Sequence, residues 1–541
     1  MNIFKKPEML LWIREMRSFI KRGSASDRPF LFASIMARLL TILDVALLFF
    51  GVFLVNRLVK RKSALLMPPG PRRLPLLENL LDMPTTHEWL KFSEWGEKWG
   101  TIVSLSILGQ PIIIVNSAKT ATEMLDKKSS IYSDRPVVVM GGELVGWKDT
   151  LVMLAYGERF RNYRRMLHHV VGTPAAVSEF YQVEEKETRH FLTLVLAEPD
   201  LLAEHIRRTA GAIILRIAYG YDIEGNHDPL VKLADEATEQ FSLSTAPGGF
   251  LVNLVPPLRY LPSWFPGAGF KKTAKLWAQT LNAMTNNPHE WVKEQMRNGT
   301  AEMSFVSRLL EEESTEPTPE REHEIKWSAA SLYSGGADTT VSSIYAFFLA
   351  MVLFPEVMRK AQQELDAVVG PNRLPTFSDR ENLPYVNALT SEVLRWHTVA
   401  PTAAPHRVTE DNIHDGYLIP KGALVIPNVW QMSHDPKVYS DPFAFKPERY
   451  LGAHPEPDPR EVCFGFGRRI CPGRILADAS IFLSCAMSLA VFNIRKTAKD
   501  DTPFKHPHEQ TTGIISHPLP FKCVISPRSP KAKSLIMTEE L

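Results

Sequence analysis

The sequence predicts a mainly α-helical protein with small β-sheets, built as a single large domain behind an N-terminal transmembrane helix. Three observations predict this. Helical periodicity extends over long segments, at 156–169, 327–353, 355–369, 383–397 and 474–491. Strand-like runs are short, at 102–107, 112–115, 424–427 and 522–525, and lack the strand–helix alternation of a doubly wound sheet. A long apolar run stands near the N-terminus, at 39–55. Length alone, 541 residues at roughly 150 per domain, would suggest three or four domains. No repeat of roughly 20–50 residues is present, so a solenoid is excluded.

Composition narrows the function classes. The 62 Lys+Arg nearly cancel the 60 Asp+Glu, leaving a formal net charge of +2, so no nucleic-acid partner is expected. Hydrophobic residues at 45% and charged ones at 23% are ordinary globular values and exclude global disorder. Four cysteines, Cys463, Cys471, Cys485 and Cys523, are too few for a secreted disulfide framework. None forms C-x-x-C, which removes a zinc ribbon or thioredoxin motif. Proline is the unusual count: 41 residues, concentrated at 68–75 and again between Pro401 and Pro459.

In chain order, the sequence divides into an extension at 1–35, a membrane anchor at 36–62, a proline-rich hinge at 63–75 and the main domain at 76–541. In the extension, Lys5, Lys6, Arg14, Arg17, Lys21 and Arg22 alternate with Leu10, Ile13, Met16 and Ile20, as in an amphipathic surface helix or a targeting segment. Glu8 and Glu15 weaken a mitochondrial reading, and Met36 is an alternative start. The run at 39–55 is interrupted only by Thr41, Asp44 and Gly51. At about 1.5 Å per residue it spans roughly 26 Å, and continuation to Val59 brings it to the ~30 Å of a bilayer core. A buried core helix or a signal peptide's apolar region is the competing reading, but no small-residue cleavage site is clear. Arg57, Lys60, Arg61 and Lys62 follow at once and, by the positive-inside rule, leave the main body in the cytosol. Pro68-Pro69-Gly70-Pro71 reads as a stiff spacer. No second span of comparable length follows, which excludes a multi-pass transporter. The segment 311–324, with seven glutamates in 14 residues, reads as a solvated loop.

The sharpest chemical signal is Phe464-Gly465-Phe466-Gly467-Arg468-Arg469-Ile470-Cys471-Pro472-Gly473, a lone cysteine among glycines directly before a helical pattern. Gly467 and Gly473 allow a tight turn, and Pro472 suits the first helical position. A helix N-terminus favours the thiolate through its dipole and free N–H groups. A thiolate without a partner cysteine suits a one-ligand metal, and heme iron fits better than zinc or an iron–sulfur cluster. Taken alone, the loop is equally readable as a buried structural cysteine.

Here the sequence resembles the cytochrome P-450 superfamily of heme-thiolate monooxygenases. The segment matches that family's F-x-x-G-x-R-x-C-x-G signature at Phe464, Gly467, Arg469, Cys471 and Gly473. The resemblance implies the cytochrome P-450 fold, heme b as cofactor, Cys471 as its axial iron ligand, and Arg469 as a propionate contact. Glu392-Val393-Leu394-Arg395 resembles the family's E-x-x-R, and Pro447-Glu448-Arg449 its partner. Glu392, Arg395 and Arg449 are thereby implied as a buried charge network supporting the heme loop. Gly335-Gly336-Ala337-Asp338-Thr339-Thr340 interrupts a long apolar helix with two glycines, each costing roughly 1 kcal/mol relative to alanine. Close helix packing explains such glycines too. The family reading is an opened turn where oxygen binds, supported by Thr339, with Asp338 relaying protons for O–O cleavage. The pair favours monooxygenation over the family's isomerase and dehydratase branches. Residues 156–164 resemble the W-x-x-x-R helix, with Arg164 as a heme contact and Phe160 in place of tryptophan as packing. Arg407 is expected as a third propionate partner, with His406 beside it structural.

By the same resemblance the substrate is a lipophilic small molecule in an apolar pocket lined by the 137–151 loop, Ala330, Tyr333, Ala400–Ala403 and residues 512–515. The apolar stretch around Phe250, Leu251, Val252, Leu254, Val255, Trp264 and Phe265 is either a membrane-dipping surface or an ordinary core loop. No flavin or nicotinamide fingerprint is present, so electrons come from a separate NADPH–cytochrome P-450 reductase. Arg161, Arg165, Lys446, Arg468 and Arg474 flank the heme motifs and suit an acidic partner. The segment Thr512-Gly513-Ile514-Ile515-Ser516-His517-Pro518 is similar to fungal microsomal members of secondary metabolism. That implies O2-dependent oxidation of a terpenoid or polyketide at the endoplasmic reticulum membrane, the chain crossing once with its catalytic domain cytosolic. The alternatives are broad xenobiotic oxidation and a heme-thiolate protein that binds ligand without turnover.

Overall fold

The computed structural model of the chain describes residues 66–497, apart from 224, 226, 227, 247, 314 and 315, together with 509–538 and the isolated positions 44 and 51. The expected extension, the anchor and the first hinge residues lie outside the described residues, those two positions apart. Residues 67–541 group as one unit, separate from 1–66.

After helix α1 (Glu88–Trp99), strands β1 (Ile102–Ile107) and β2 (Gln110–Val115) form a hairpin. Its turn uses positive φ at Leu108 and Gly109. Prolines 68–71 lie along β1: Ser104 N–H donates to the carbonyl of Pro69 at 2.9 Å, and a Cβ at Gly70 would collide with the Ser104 carbonyl. Glycine is required by that close approach. The sheet is completed by two distant strands, β3 (His406–Arg407) and β6 (Leu424–Pro427), in the order β1-β2-β6-β3. The pair β4 (Asn412–His414) and β5 (Tyr417–Ile419) makes a second sheet, and β7 (Phe492–Lys496) with β8 (Cys523–Pro527) a third.

The long helices are α2 (Glu158–Val171), α3 (Tyr181–Ala197), α4 (Leu202–Tyr219), α5 (Pro229–Thr245), α6 (Phe270–Asn298), α7 (Pro319–Leu353), α8 (Pro355–Val368), α9 (Pro384–Trp396) and α10 (Arg474–Val491). Helices α3 to α6 were not among the predicted ones. In α6 the Asn286-Asn287-Pro288 run imitates a turn signal, yet the helix continues through a buried Pro288. Helix α7 begins eight residues before its predicted start. Thr318 accepts the Arg321 N–H, and Pro319 takes the first helical position, where its missing N–H costs nothing. The last six residues of the expected acidic loop are therefore helix, and Glu324 is buried, accepting from Asn162 Nδ2 at 3.0 Å.

Helix α7 is the axis of the core and packs against α2, α4, α5 and α10. Both α7 and α10 are apolar enough to cross a membrane (mean hydropathy 1.4 and 1.6), but both are largely buried inside the body. The closest approach is to α4: a Cβ on Gly336 would lie 2.7 Å from Ile214 Cδ1. Gly335, one residue earlier, has nothing within 4 Å of such a Cβ and is exposed. The two glycines therefore have different causes, one close packing and the other an open face.

Candidate active site

The loop from Phe464 to Gly473 is closed by Cys471 N–H donating to the Phe464 carbonyl at 2.8 Å. Gly465 and Gly467 have φ of +78° and +54°. A Cβ at Gly467 would overlap the Leu125 carbonyl, so only glycine fits. Its N–H donates to the Asp126 carboxylate. The loop delivers Cys471 to the N-terminal end of α10, and Arg164 from α2 donates to the adjacent Ile470 carbonyl at 2.6 Å. Burial pushes the Cys471 thiol up, against the opposing pull of the Gly473 N–H, Arg164 and Arg474. Burial thus works against the thiolate that the helix end and the neighbouring arginines favour. A coordinating metal removes the proton outright.

Cations converge beside this loop. Arg469 donates to the carbonyls of Ser133 (2.7 Å), Leu151 (3.2 Å) and Leu154 (2.7 Å), and its guanidinium lies 3.9 Å from the Phe160 ring centroid. Phe160 thus forms a platform for Arg469. Arg135, 8% exposed, donates to the carbonyls of Val152, Ala404 and Pro405. His406, 3% exposed, holds the Tyr132 carbonyl through Nδ1 at 2.7 Å. Burial, then the neighbouring like charge, brings Arg135 down to about 9. Burial likewise lowers Arg469 to about 10. His406 is held well below its ordinary value by burial and then by Arg135 and Arg469. The Asp134 carboxylate opposes the shifts of both arginines.

Arg407 is placed differently. Adjacent residues of a strand face opposite sides, so with His406 inward, Arg407 is outward: 44% of its side chain is exposed, 4.0 Å from Asp134. Sequence reasoning passed over Arg135 and treated His406 as structural. The available signal was strand alternation at His406–Arg407, which allows only one of the two to face inward.

Glu392, Arg395 and Arg449 come together in full. Arg395 donates twice to Glu392, at 2.8 and 2.7 Å, and further to the carbonyls of Ser433, Pro442 and Ala444. Arg449 reaches Glu392 at 3.1 Å and Glu456 at 2.5 Å. Lys446 N–H and Tyr450 O–H also donate to Glu392. The side chains of Glu392 and Arg395 are 0% exposed and that of Arg449 is 2% exposed.

On α7, Thr339 Oγ1 donates to the Gly335 carbonyl at 2.7 Å, and the helix runs unbroken past this turn. Asp338 lies 3.1 Å from His517 Nε2. Ala330 and Tyr333, expected in the pocket, are instead 0% exposed in the core. The Tyr333 hydroxyl donates to the Leu230 carbonyl and its ring meets Tyr219 edge-on. The open face of α7 is the one carrying Ser331, Gly335, Asp338 and Thr339, at helical spacing.

Residues 68–525 match the family model for Cytochrome P450. The chain belongs to the cytochrome P450 family. It is 51% identical over 506 residues to Cytochrome P450 monooxygenase 208 of Postia placenta, covering 93% of this chain and 98% of that one. It is 48% identical to Cytochrome P450 monooxygenase claR of Ampulloclitocybe clavipes, over 92% of each chain. It is 43% identical to Cytochrome P450 monooxygenase ppsD of Aspergillus oryzae, over 92% of this chain and 96% of that one. As a P450 monooxygenase the protein is an oxidoreductase that uses O2, a redox partner, a small-molecule substrate and heme with an axial cysteine thiolate. The residues present fit that cofactor. Two guanidinium groups, Arg135 buried and Arg469 half-buried, and the His406 imidazole stand together with backbone carbonyls as their hydrogen-bond partners, as a dianionic porphyrin edge suits, and an open stretch of α7 interrupts an otherwise packed core.

Proposed function

We propose that this P450 inserts one oxygen atom into a lipophilic small molecule, a terpenoid or polyketide intermediate of secondary metabolism. Its electrons come from NADPH–cytochrome P-450 reductase at the endoplasmic reticulum membrane. Cys471 is the axial iron ligand. Arg164 and Arg469 hold the heme propionates together with Arg135 and His406, and Arg407 stands outside that group. Phe464, Gly467 and Gly473 shape the loop that carries Cys471. The observation that carries this reading is the pair of guanidinium groups, Arg135 and Arg469, held by backbone carbonyls beside the Cys471 loop.

Bound there, heme supplies the dioxygen activation that no side chain performs. The chain's own residues do the rest. Glu392, Arg395 and Arg449 fix the segment leading to the loop, because each of their charges is matched by a partner. Thr339 holds its hydroxyl on the open face of α7, bonded to the Gly335 carbonyl, and Asp338 moves protons inward from its carboxylate. The loop 137–151 is tied to α7 by Leu151 N–H donating to Ser331 Oγ at 2.9 Å.

Two surfaces support the partners. Arg161, Arg165, Lys446, Arg468 and Arg474 are all exposed, as an acidic reductase face requires. Leu251, Tyr260, Trp264 and Phe265 are 63%, 74%, 80% and 44% exposed, an apolar patch that a bilayer would cover, while Val252 is core. In this reading the chain crosses the membrane once at 36–62, followed by the hinge at 63–75 and the cytosolic domain at 76–541.

The test is NADPH- and reductase-dependent loss of candidate terpenoids and polyketides in microsomes, with Thr339→Ala as control. Turnover that is lost in Thr339→Ala supports the reading. Substrate loss independent of NADPH overturns it.

A further inference from the structure

The segment 509–519 is folded onto α7 at a point one turn from Thr339. Within it, Thr511 N–H donates to the His517 carbonyl at 2.8 Å, and His517 N–H to Thr511 Oγ1 at 2.9 Å. These two bonds make a closed loop that fixes His517. The loop is clamped from outside at Ser516, which is fully buried. Its carbonyl accepts from Ser342 Oγ at 2.5 Å and lies 3.1 Å from His397 Nε2, while its N–H donates to the Val399 carbonyl at 2.8 Å. Ser342 is four residues after Asp338, on the same helix face. One turn of α7 therefore receives Ser516 at one end and His517 at the other.

His517 Nε2 lies 3.1 Å from each Asp338 carboxylate oxygen, and the two side chains are 19% and 18% exposed. A carboxylate only accepts, so Nε2 carries the hydrogen and Nδ1 is the free end of the ring. Resting on the assignment of Asp338 to proton delivery above, we propose that His517 is the positioning residue of Asp338 and passes it the protons that oxygen reduction consumes. His517 Nε2–H donates its proton to the Asp338 carboxylate. The imidazole recovers one from solvent at Nδ1, which leaves it as the Nδ1–H tautomer. Once Asp338 has passed its proton on, a ring flip or proton exchange with solvent restores the Nε2–H form for the next transfer.

The surrounding charges favour such a path. Asp235 on α5 lies close enough to interact with both members, and Arg207 on α4 interacts with Asp235 in turn. Burial, with the Asp338 charge adding, pushes the Asp235 carboxyl up to about 6. A third exchangeable group thus interacts with the pair and with the exposed Arg207.

The test needs no organic substrate. In the reductase-reconstituted enzyme, reduction of O2 to two waters consumes two NADPH, whereas release of hydrogen peroxide consumes one. The NADPH-to-O2 ratio therefore reads how often the O–O bond is cleaved. His517→Phe and His517→Gln are each expected to lower the share of oxygen leaving as water about fivefold. That is less than the ~10²-fold effect of a group touching the reacting atoms, since water still reaches Asp338. A parent-level water share in His517→Gln overturns the proposal. Asp338→Asn separates the two readings: if it too keeps the parent ratio, the role of Asp338 itself fails. If Asp338→Asn lowers the ratio and His517→Gln does not, only the present inference fails. Hydrogen exchange of the 509–519 amides supplies a readout independent of turnover. His517→Phe and Asp338→Asn should each raise it, and the double variant should add nothing, because one contact is lost either way. Additive increases overturn the contact.

Discussion

Two buried charge clusters lie within this protein, and they are built on opposite rules. Around Glu392 every charge has its partner: two arginines, a backbone N–H and a tyrosine hydroxyl surround one carboxylate, and leftover guanidinium hydrogens find carbonyls. Around Arg135, Arg469 and His406 two guanidinium groups and an imidazole crowd together with carbonyl oxygens as their hydrogen-bond partners, and Asp134 offsets part of the repulsion between the arginines. A satisfied network rigidifies the chain and asks for nothing further. An unsatisfied one carries a desolvation penalty that a bound anion relieves. On the function proposed above the first cluster is scaffold and the second receives the heme, a distinction that burial alone would not reveal.

The largest effect should come from the residue between the clusters. Cys471→Ala is expected to abolish the thiolate-type CO-difference spectrum entirely, and a retained spectrum would refute the ligand assignment. Next is the satisfied cluster. Glu392→Ala leaves the buried Arg395 without a carboxylate and Arg449 with Glu456 alone, at a cost of about 3–5 kcal/mol, visible as a lower thermal midpoint and poor yield of folded protein. If Glu392→Ala unfolds at the parent temperature, the network is not the scaffold described here.

The third prediction contrasts the clusters directly. Arg135→Met removes a cation already short of a partner, so folded stability should change by less than about 1 kcal/mol, while heme is lost several-fold faster to a competing apo-acceptor. Arg407→Met should alter heme loss far less, because that side chain is outward. Equal effects at the two positions would erase the inward–outward distinction.

The smallest effect is in pH dependence. His406 is held well below its ordinary value, so near pH 6.5 the unfolded chain binds more protons than the folded one. Stability should therefore fall as pH drops from 7 toward 5 in heme-depleted protein, and His406→Gln should flatten that slope. Heme-loaded protein should show a weaker slope, since an anion beside the imidazole offsets Arg135 and Arg469. A slope unchanged by both removes His406 from the cluster.

Legibility followed the range over which each feature is decided. The start of α10 at Arg474 and the limits of β1 at Ile102 and Ile107 coincide with the sequence reading, because the glycine-proline loop and turn residues beside them set those ends. Helices α3 to α6 were missed where polar residues blur the apolar period, and Pro288 conceals the middle of α6. The motif residues Glu392, Arg395 and Arg449 were readable as a set through family resemblance. Arg135 was not, because it stands 29 residues before Arg164, outside every motif segment.

By itself the sequence determined the heme-thiolate loop, the E-x-x-R network, the Asp338-Thr339 step in a glycine-broken helix, and the mainly helical class. Each motif is a short contiguous segment, although the E-x-x-R network is completed by Arg449, 57 residues on from Glu392. Only the tertiary structure decided which glycine of α7 packs and which lies open, which of His406 and Arg407 faces inward, and that His517 meets Asp338 across 179 positions of chain. Those outcomes depend on which distant surface meets a given face, and the faces meet only when the whole core has closed.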